Sequence, residues 1–102
     1  MKIDNWLEGH WALILGSSSG FGAEVSKKLS EYGVNILGIH LDRKGTMKNV
    51  EKIVLGIKNN GVEVNFFNIN AADEEKRKET LDKVVELIGN SEKKIKVLLH
   101  SL

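Results

Sequence analysis

Gly16-Ser17-Ser18-Ser19-Gly20-Phe21-Gly22 is the stretch that most limits what this chain can fold into. The apolar run Trp11-Ala12-Leu13-Ile14-Leu15 leads straight into it, and a helix-patterned segment, Ala23 to Tyr32, leads straight out. Glycines placed between a strand and a helix mark a turn in which backbone rather than side chain forms the surface. Strand, glycine loop, helix is the order a dinucleotide site needs. The first glycine turns the chain sharply off the strand, a middle one lets backbone approach a pyrophosphate, and the last lets helix and strand pack closely. Negative phosphates would then sit over the unpaired N–H groups at the helix start.

Two other glycine loops fail against this sequence. A Walker-type phosphate loop needs Gly, four residues, then Gly-Lys-Ser/Thr, and Phe21 stands where that lysine would be. The common dinucleotide pattern Gly-x-Gly-x-x-Gly does not fit either, because the spacing here is Gly-x-x-x-Gly-x-Gly. A serine-glycine turn without a ligand is the alternative, and the flanking strand and helix patterns argue against it.

The rest of the chain repeats the alternation of strand and helix. Trp11 to Leu15 is a continuous apolar run, as expected of a strand buried on both faces. After the glycines, Phe21, Val25, Leu29 and Tyr32 recur at helical spacing, and Gly33 follows as a stop. Val34 to Leu41 reads as a second strand, and Met47, Val50, Ile53, Val54 and Ile57 as a second helix closed by Asn59-Asn60-Gly61. Val62, Val64, Phe66, Phe67 and Ile69 give a third strand. Asp73 is then the N-cap of a third helix running to about Ile88, with the apolar stripe Leu81, Val84, Val85 and Ile88 and the close Gly89-Asn90. Ile95, Val97, Leu98 and Leu99 make a fourth strand. Met1 to His10 is read as a surface lead-in, with Trp6 and Leu7 covering the bottom of the sheet.

Three successive strand–helix units plus a strand predict a three-layer α/β fold of Rossmann type, its parallel sheet in the order 3-2-1-4. The first strand then lies inside, between the second and the fourth. Ligands bind such sheets beyond the strand C-termini where the winding reverses, which is where the glycine loop falls. A chain of 102 residues allows one domain at most.

Composition removes several alternatives. With no cysteine there is neither a disulfide framework nor a thiolate metal site. His40 and His100 would share the C-terminal edge of the sheet, but no third ligand or acidic cluster joins them, so a metal site is not expected. The formal net charge is +1, with lysines and glutamates mixed along the same segments, so no basic face is set apart for nucleic acid. No apolar run is long enough to cross a bilayer, and acids stand where a signal peptide would be apolar. The expectation is a cytoplasmic protein without membrane contact.

The glycine spacing, with small hydroxyl residues between the first two glycines, resembles the fingerprint of the short-chain dehydrogenase/reductase family. That resemblance implies an NAD(P)-dependent oxidoreductase, with Gly16, Gly20 and Gly22 cradling the pyrophosphate beside Phe21. Ser17, Ser18 and Ser19 would donate to phosphates or ribose. The end of the second strand, His40-Leu41-Asp42-Arg43-Lys44, is where the ribose is read. By the family's pattern His40 occupies the usual acidic position, so Arg43 and Lys44 could pair with a 2′-phosphate, which favours NADP(H) over NAD(H). Asp42 swinging in to bind ribose is the alternative. Asn70 and Ala71 follow the third strand beside the expected adenine, with Asn70 in place of the family's usual aspartate.

His100-Ser101-Leu102 replaces the family's usual Asn-Asn-Ala-Gly and looks like the variant in enoyl reductases, which reduce a double bond of an acyl thioester. His100 and Ser101 are therefore counted with the cofactor site, while a histidine simply finishing a strand is the competing reading. The family's catalytic serine, tyrosine and lysine come after the fourth strand. The one tyrosine, Tyr32, lies in the first helix's stripe with no lysine four residues on. The expectation is thus an N-terminal, cofactor-binding half-fold over residues 1–102, not catalytic by itself. Its fourth strand would pair with a missing C-terminal half or a second copy. The alternatives are a free-standing nucleotide-binding or partner-pairing half-fold without catalysis, and an inert remnant.

Overall fold

The computed structural model describes residues 7–18, 20–70, 72–89 and 93–100. The expectations placed on Trp6, Ser19, Ala71, Asn90, Ser101 and Leu102 lie outside these residues. The elements are β1 (Trp11–Leu15), α1 (Gly20–Glu31), β2 (Asn35–His40), a 3-10 turn (Lys44–Thr46), α2 (Met47–Lys58), β3 (Val64–Asn68), α3 (Glu74–Ile88) and β4 (Ile95–His100). The strands form a parallel sheet in the order β3-β2-β1-β4, as the alternation of patterns predicts.

β1 explains its own composition. Its side chains alternate between faces, and both faces are covered by helices, so neither can be polar. Ala12 and Ile14 join Val34, Ile36, Ile57 and Val64 in one core, against which Val25 and Leu29 of α1 and Ile53 and Val54 of α2 pack. Trp11 joins Leu37 and Val84 of α3 in the other, with Leu13, Phe67 and Ile88 against them. Leu7 is buried in the first cluster, as its place in the lead-in predicts.

α1 begins inside the glycine stretch, at Gly20, three residues before the expected start, and ends at Glu31. Its buried residues are Gly22, Ser26 and Ser30, spaced four apart, rather than the Phe21-to-Tyr32 stripe alone. The hydroxyls of Ser26 and Ser30 are satisfied within the helix, donating to the carbonyls of Gly22 and Lys27, and Ser30 Oγ also accepts from Asn60 Nδ2 just past α2. Phe21, expected in the apolar stripe, is instead 64% exposed, while its neighbour Gly22 is the buried residue of the first turn. Tyr32 lies just beyond the helix, half-buried.

α3 is capped as expected, Asp73 accepting from the Lys76 amide at 3.1 Å. Its apolar stripe is wider than its contact, however. Val84 is buried and Ile88 packs beside it, while Leu81 and Val85 are exposed, Val85 at 69%. β4 shows the same one-sidedness. Val97 and Leu99 pack on the α1–α2 core, but Leu98 on the opposite face is 68% exposed.

The sheet is pinched tightest at Gly38 of β2. A Cβ there would stand 2.6 Å from the Phe66 ring and 2.6 Å from Ser17 Oγ, so only glycine lets the loop and β3 close over β2. Gly38→Ala is expected to destabilise the chain by about 1–3 kcal/mol through overpacking. Gly56→Ala in α2, where a Cβ would meet nothing within 4 Å, should stabilise it by roughly 0.5–1 kcal/mol. Urea unfolding of the two variants would check both signs.

Candidate dinucleotide site

The glycine loop is fastened to β2 before any ligand is considered. Gly16, at φ +87°, takes a conformation that side chains rarely adopt, and its amide donates to the Ile39 carbonyl at 2.8 Å. The Ser17 amide donates to the same carbonyl at 3.2 Å. Leu15 is in register with Ile39 on one side and with His100 on the other, so the loop leaves the sheet at the centre of its C-terminal edge.

The three serines behave differently from one another. Ser17 Oγ is fully buried with no hydrogen-bond partner, packed beneath the loop against Gly38. Ser18 Oγ donates to Asp42 Oδ1 at 2.5 Å, and Ser19 lies outside the described residues. Gly20 opens α1, and a Cβ built on it would meet nothing within 4 Å, so this part of the loop faces open space. No acidic side chain stands in the first turn of α1, which leaves the positive end of its dipole uncompensated.

Asp42 is the centre of the site's polar contacts. His40 is buried at the end of β2, its ring 5.7 Å from that of Phe66, and its Nδ1 lies 2.9 Å from Asp42 Oδ1. Asn68, the last residue of β3, holds the Asp42 backbone at both ends. Its Oδ1 accepts from the Asp42 amide at 2.8 Å and its Nδ2 donates to the Asp42 carbonyl at 3.0 Å. The hydrogen bond from Ser18, with smaller contributions from Thr46 and His40, holds the Asp42 carboxyl below the ordinary aspartate value of 3.8.

Of the other expected residues, Arg43 is exposed, and its carbonyl accepts from the Thr46 amide and hydroxyl. Asn70 turns its side-chain oxygen to the Ala72 amide at 3.0 Å, closing its own loop. His100 is exposed at the end of β4. Among the described residues no group of three potential metal ligands occurs, and no helix is long and apolar enough to cross a membrane. A cleft of about 470 Å³ opens between α2 and β3, lined by Met47, Val54, Leu55, Phe66 and the far side of the site, His40 and Asn68. It lies behind the site, with no residue of the glycine loop in its lining.

Asn68 was invisible as a site residue from sequence. An asparagine ending a strand signals only a polar exit, and its partner lies 26 residues away.

The sequence profile of short chain dehydrogenases matches residues 10–101. The chain belongs to the short-chain dehydrogenase family. The match is to an N-terminal portion of the family's fold. An uncharacterized oxidoreductase of Thermotoga maritima is 28% identical over 83 residues, which is 81% of this chain and 31% of that protein. NAD+-bound xylitol dehydrogenase superposes with a TM-score of 0.75 at 25% identity, over 90% of this chain and 32% of the enzyme. A Serratia marcescens short-chain dehydrogenase/reductase reaches a TM-score of 0.76 at 21% identity, over 93% and 36%, and a metagenomic family member in complex with NADP 0.73 at 21%, over 90% and 38%. This short-chain dehydrogenase sequence therefore spans about a third of the length of the relatives it matches.

The lowered Asp42 pKa sets a pH dependence. An ionised, hydrogen-bonded Asp42 stabilises the fold above its unfolded-state pKa of about 3.9, and that stabilisation is lost as pH falls through the lower folded value. The stability gap between the native chain and Asp42→Asn should be full at pH 6 and shrink below about pH 4, as urea unfolding across that range would record.

Proposed function

We propose that this chain is the dinucleotide-binding part of an NAD(P)-dependent oxidoreductase, with residues 1–102 forming a Rossmann half-domain. The observation that carries the reading is the open glycine surface. Gly16 to Gly22 link the C-terminal end of β1, the central strand, to the N-terminus of a 12-residue helix whose first turn holds no acid. Gly20, with open space where a Cβ would be, and the amides at the start of α1 would receive the pyrophosphate. Gly22, buried in the first turn of α1, adds no side chain there. The similarity to NAD+-bound xylitol dehydrogenase supports a nicotinamide dinucleotide as the ligand class.

Bound there, the nicotinamide would supply hydride transfer. The chain's own residues would bind and orient it: Asn70 and Ala71 on the adenine side, Ser18, Asp42 and Arg43 at the ribose with the buried His40 behind Asp42, and His100 with Ser101 at the end of β4. Arg43 and Lys44 bring positive charge to the ribose end, which suits NADP(H), and Asp42 brings negative charge, which suits NAD(H). Reduction of an enoyl thioester rests on His100-Ser101-Leu102 alone, and turnover of a crotonyl thioester by a whole enzyme containing this chain would test it.

A partner at β4 is the companion proposal. Leu98, Leu81 and Val85 are exposed on the same face of the sheet, and either a second copy or the remainder of a longer fold would bury them.

Gly20→Val separates binding from folding. The added side chain enters open space, so the variant should unfold within about 1 kcal/mol of the native chain. Calorimetric titration with NADH and NADPH should nevertheless show binding lost or weakened at least ~10-fold, because the branched side chain occupies the path of the pyrophosphate. Unchanged binding by the variant would remove the glycine loop from the site.

A further inference from the structure

β3 is an edge of the sheet: among the described residues it pairs with β2 alone. The Ile36 amide donates to the Glu63 carbonyl and the Ile69 amide to the His40 carbonyl, so the odd-numbered residues turn their backbone groups to β2. Alternation along the strand then turns the N–H and C=O of Val64 and Phe66 outward. Sheet edges are ordinarily guarded by charge, proline or a bulge. β3, Val-Asn-Phe-Phe-Asn, has none of these, whereas β4 at the other edge carries Lys96.

Both flanks of this edge are hollow. The cleft of about 470 Å³ lies on its α2 side, where Phe66, Val54 and Leu55, itself 60% exposed, line it. A second cleft, of about 390 Å³, lies on the α3 side and is lined by Asn65, Phe67, Lys83, Glu86 and Leu87. A strand added at β3 sends its side chains to the two faces by turns, and so into the two clefts.

The charges indicate which strand fits. Glu51 and Lys58, both lining the first cleft, stand about two helical turns apart on α2, with Val54 and Leu55 between them. A two-fold axis at the β3 edge lays α2 of one copy antiparallel to α2 of another and turns each Glu51 towards the other's Lys58 across the apolar centre. β3 satisfies the same axis. With the axis at Asn65, Val64 of each copy stands opposite Phe66 of the other, and their outward backbone groups meet as hydrogen-bonded pairs. The second cleft also offers one charge of each sign, Lys83 and Glu86.

We propose that the β3 edge is a self-association surface, at which two copies of this chain join their sheets by antiparallel β3–β3 pairing, with Glu51 and Lys58 fixing the register. The surface lies at the edge opposite β4, and the glycine loop, which leaves the central strand, takes no part in it. The proposal is independent of the dinucleotide reading.

Sedimentation of the 102-residue chain over a range of concentrations tests this, each variant first shown to be folded by circular dichroism. The native chain should show a reversible monomer–dimer equilibrium. Glu51→Lys and Lys58→Glu each set like charges against one another in both pairs, and each should weaken the dimer by about tenfold or more. Mixed in equal amounts they should restore it, because the lysines of one variant then face the glutamates of the other. Leu98→Lys, on β4, should leave the equilibrium unchanged. A variant-free arm follows amide exchange by NMR: protection of the Val64 and Phe66 amides should rise with concentration, while the Asn65 and Phe67 amides, already turned to β2, stay nearly constant.

A native chain that remains monomeric throughout overturns the proposal, as does a dimer that Leu98→Lys abolishes and the charge variants leave intact. A mixture that associates no better than either variant alone overturns the two-fold arrangement. Exchange at Val64 and Phe66 that is independent of concentration removes β3 from the interface, whether or not the variants fold.

Discussion

β1 is hydrogen-bonded along both edges, to β2 and to β4, and every other feature of the chain is placed by that fact. A strand inside a parallel sheet has helices on both faces, so its side chains must be apolar on both and its exit must be a sharp turn. The turn is made by Gly16, and the amides that would otherwise be left unpaired there are taken by the Ile39 carbonyl of β2. The loop is thus an extension of the β1–β2 ladder rather than a flap above it. Its position over the sheet is set by the same hydrogen bonds that make the sheet.

The second constraint is distance. For the loop to lie on β2 and for Phe66 to lie on it from β3, β2 must present no side chain at Gly38. On α1 the buried positions are likewise small, Gly22, Ser26 and Ser30. The apolar core is supplied by larger residues, Ile14, Ile36 and Ile57 among them. The buried serine hydroxyls are satisfied locally, with Ser17 Oγ the exception. An unsatisfied buried hydroxyl costs on the order of 1–3 kcal/mol. It lies directly under the glycine loop, against Gly38.

The site is polarised across the sheet. Towards β3 it is closed by polar contacts, with Asn68, His40 and Ser18 converging on Asp42. Towards β4 it is open, with His100 exposed at the strand's end and Leu98 exposed on one face of the strand. The relatives are about three times longer than this chain.

Much of this was legible in the order of residues alone. Strand and helix periods, the glycine spacing and the alternation of units give the sheet order 3-2-1-4 and put the loop at its C-terminal edge, because the handedness of parallel crossovers leaves few other arrangements. What sequence could not supply is which side chains meet across it. Phe21 and Val85 carry the right period and still face outward, since period reports a helix's apolar face and not the width of what covers it. Ser18 meets Asp42 across 24 residues and Asn68 holds Asp42 across 26, and no local pattern encodes either pairing. Local periodicity and turn chemistry determined the fold and the location of the site, because those act between near neighbours. Which side chains meet at its edge, with Ser18, His40 and Asn68 converging on Asp42, was decided only when the tertiary structure brought distant segments together.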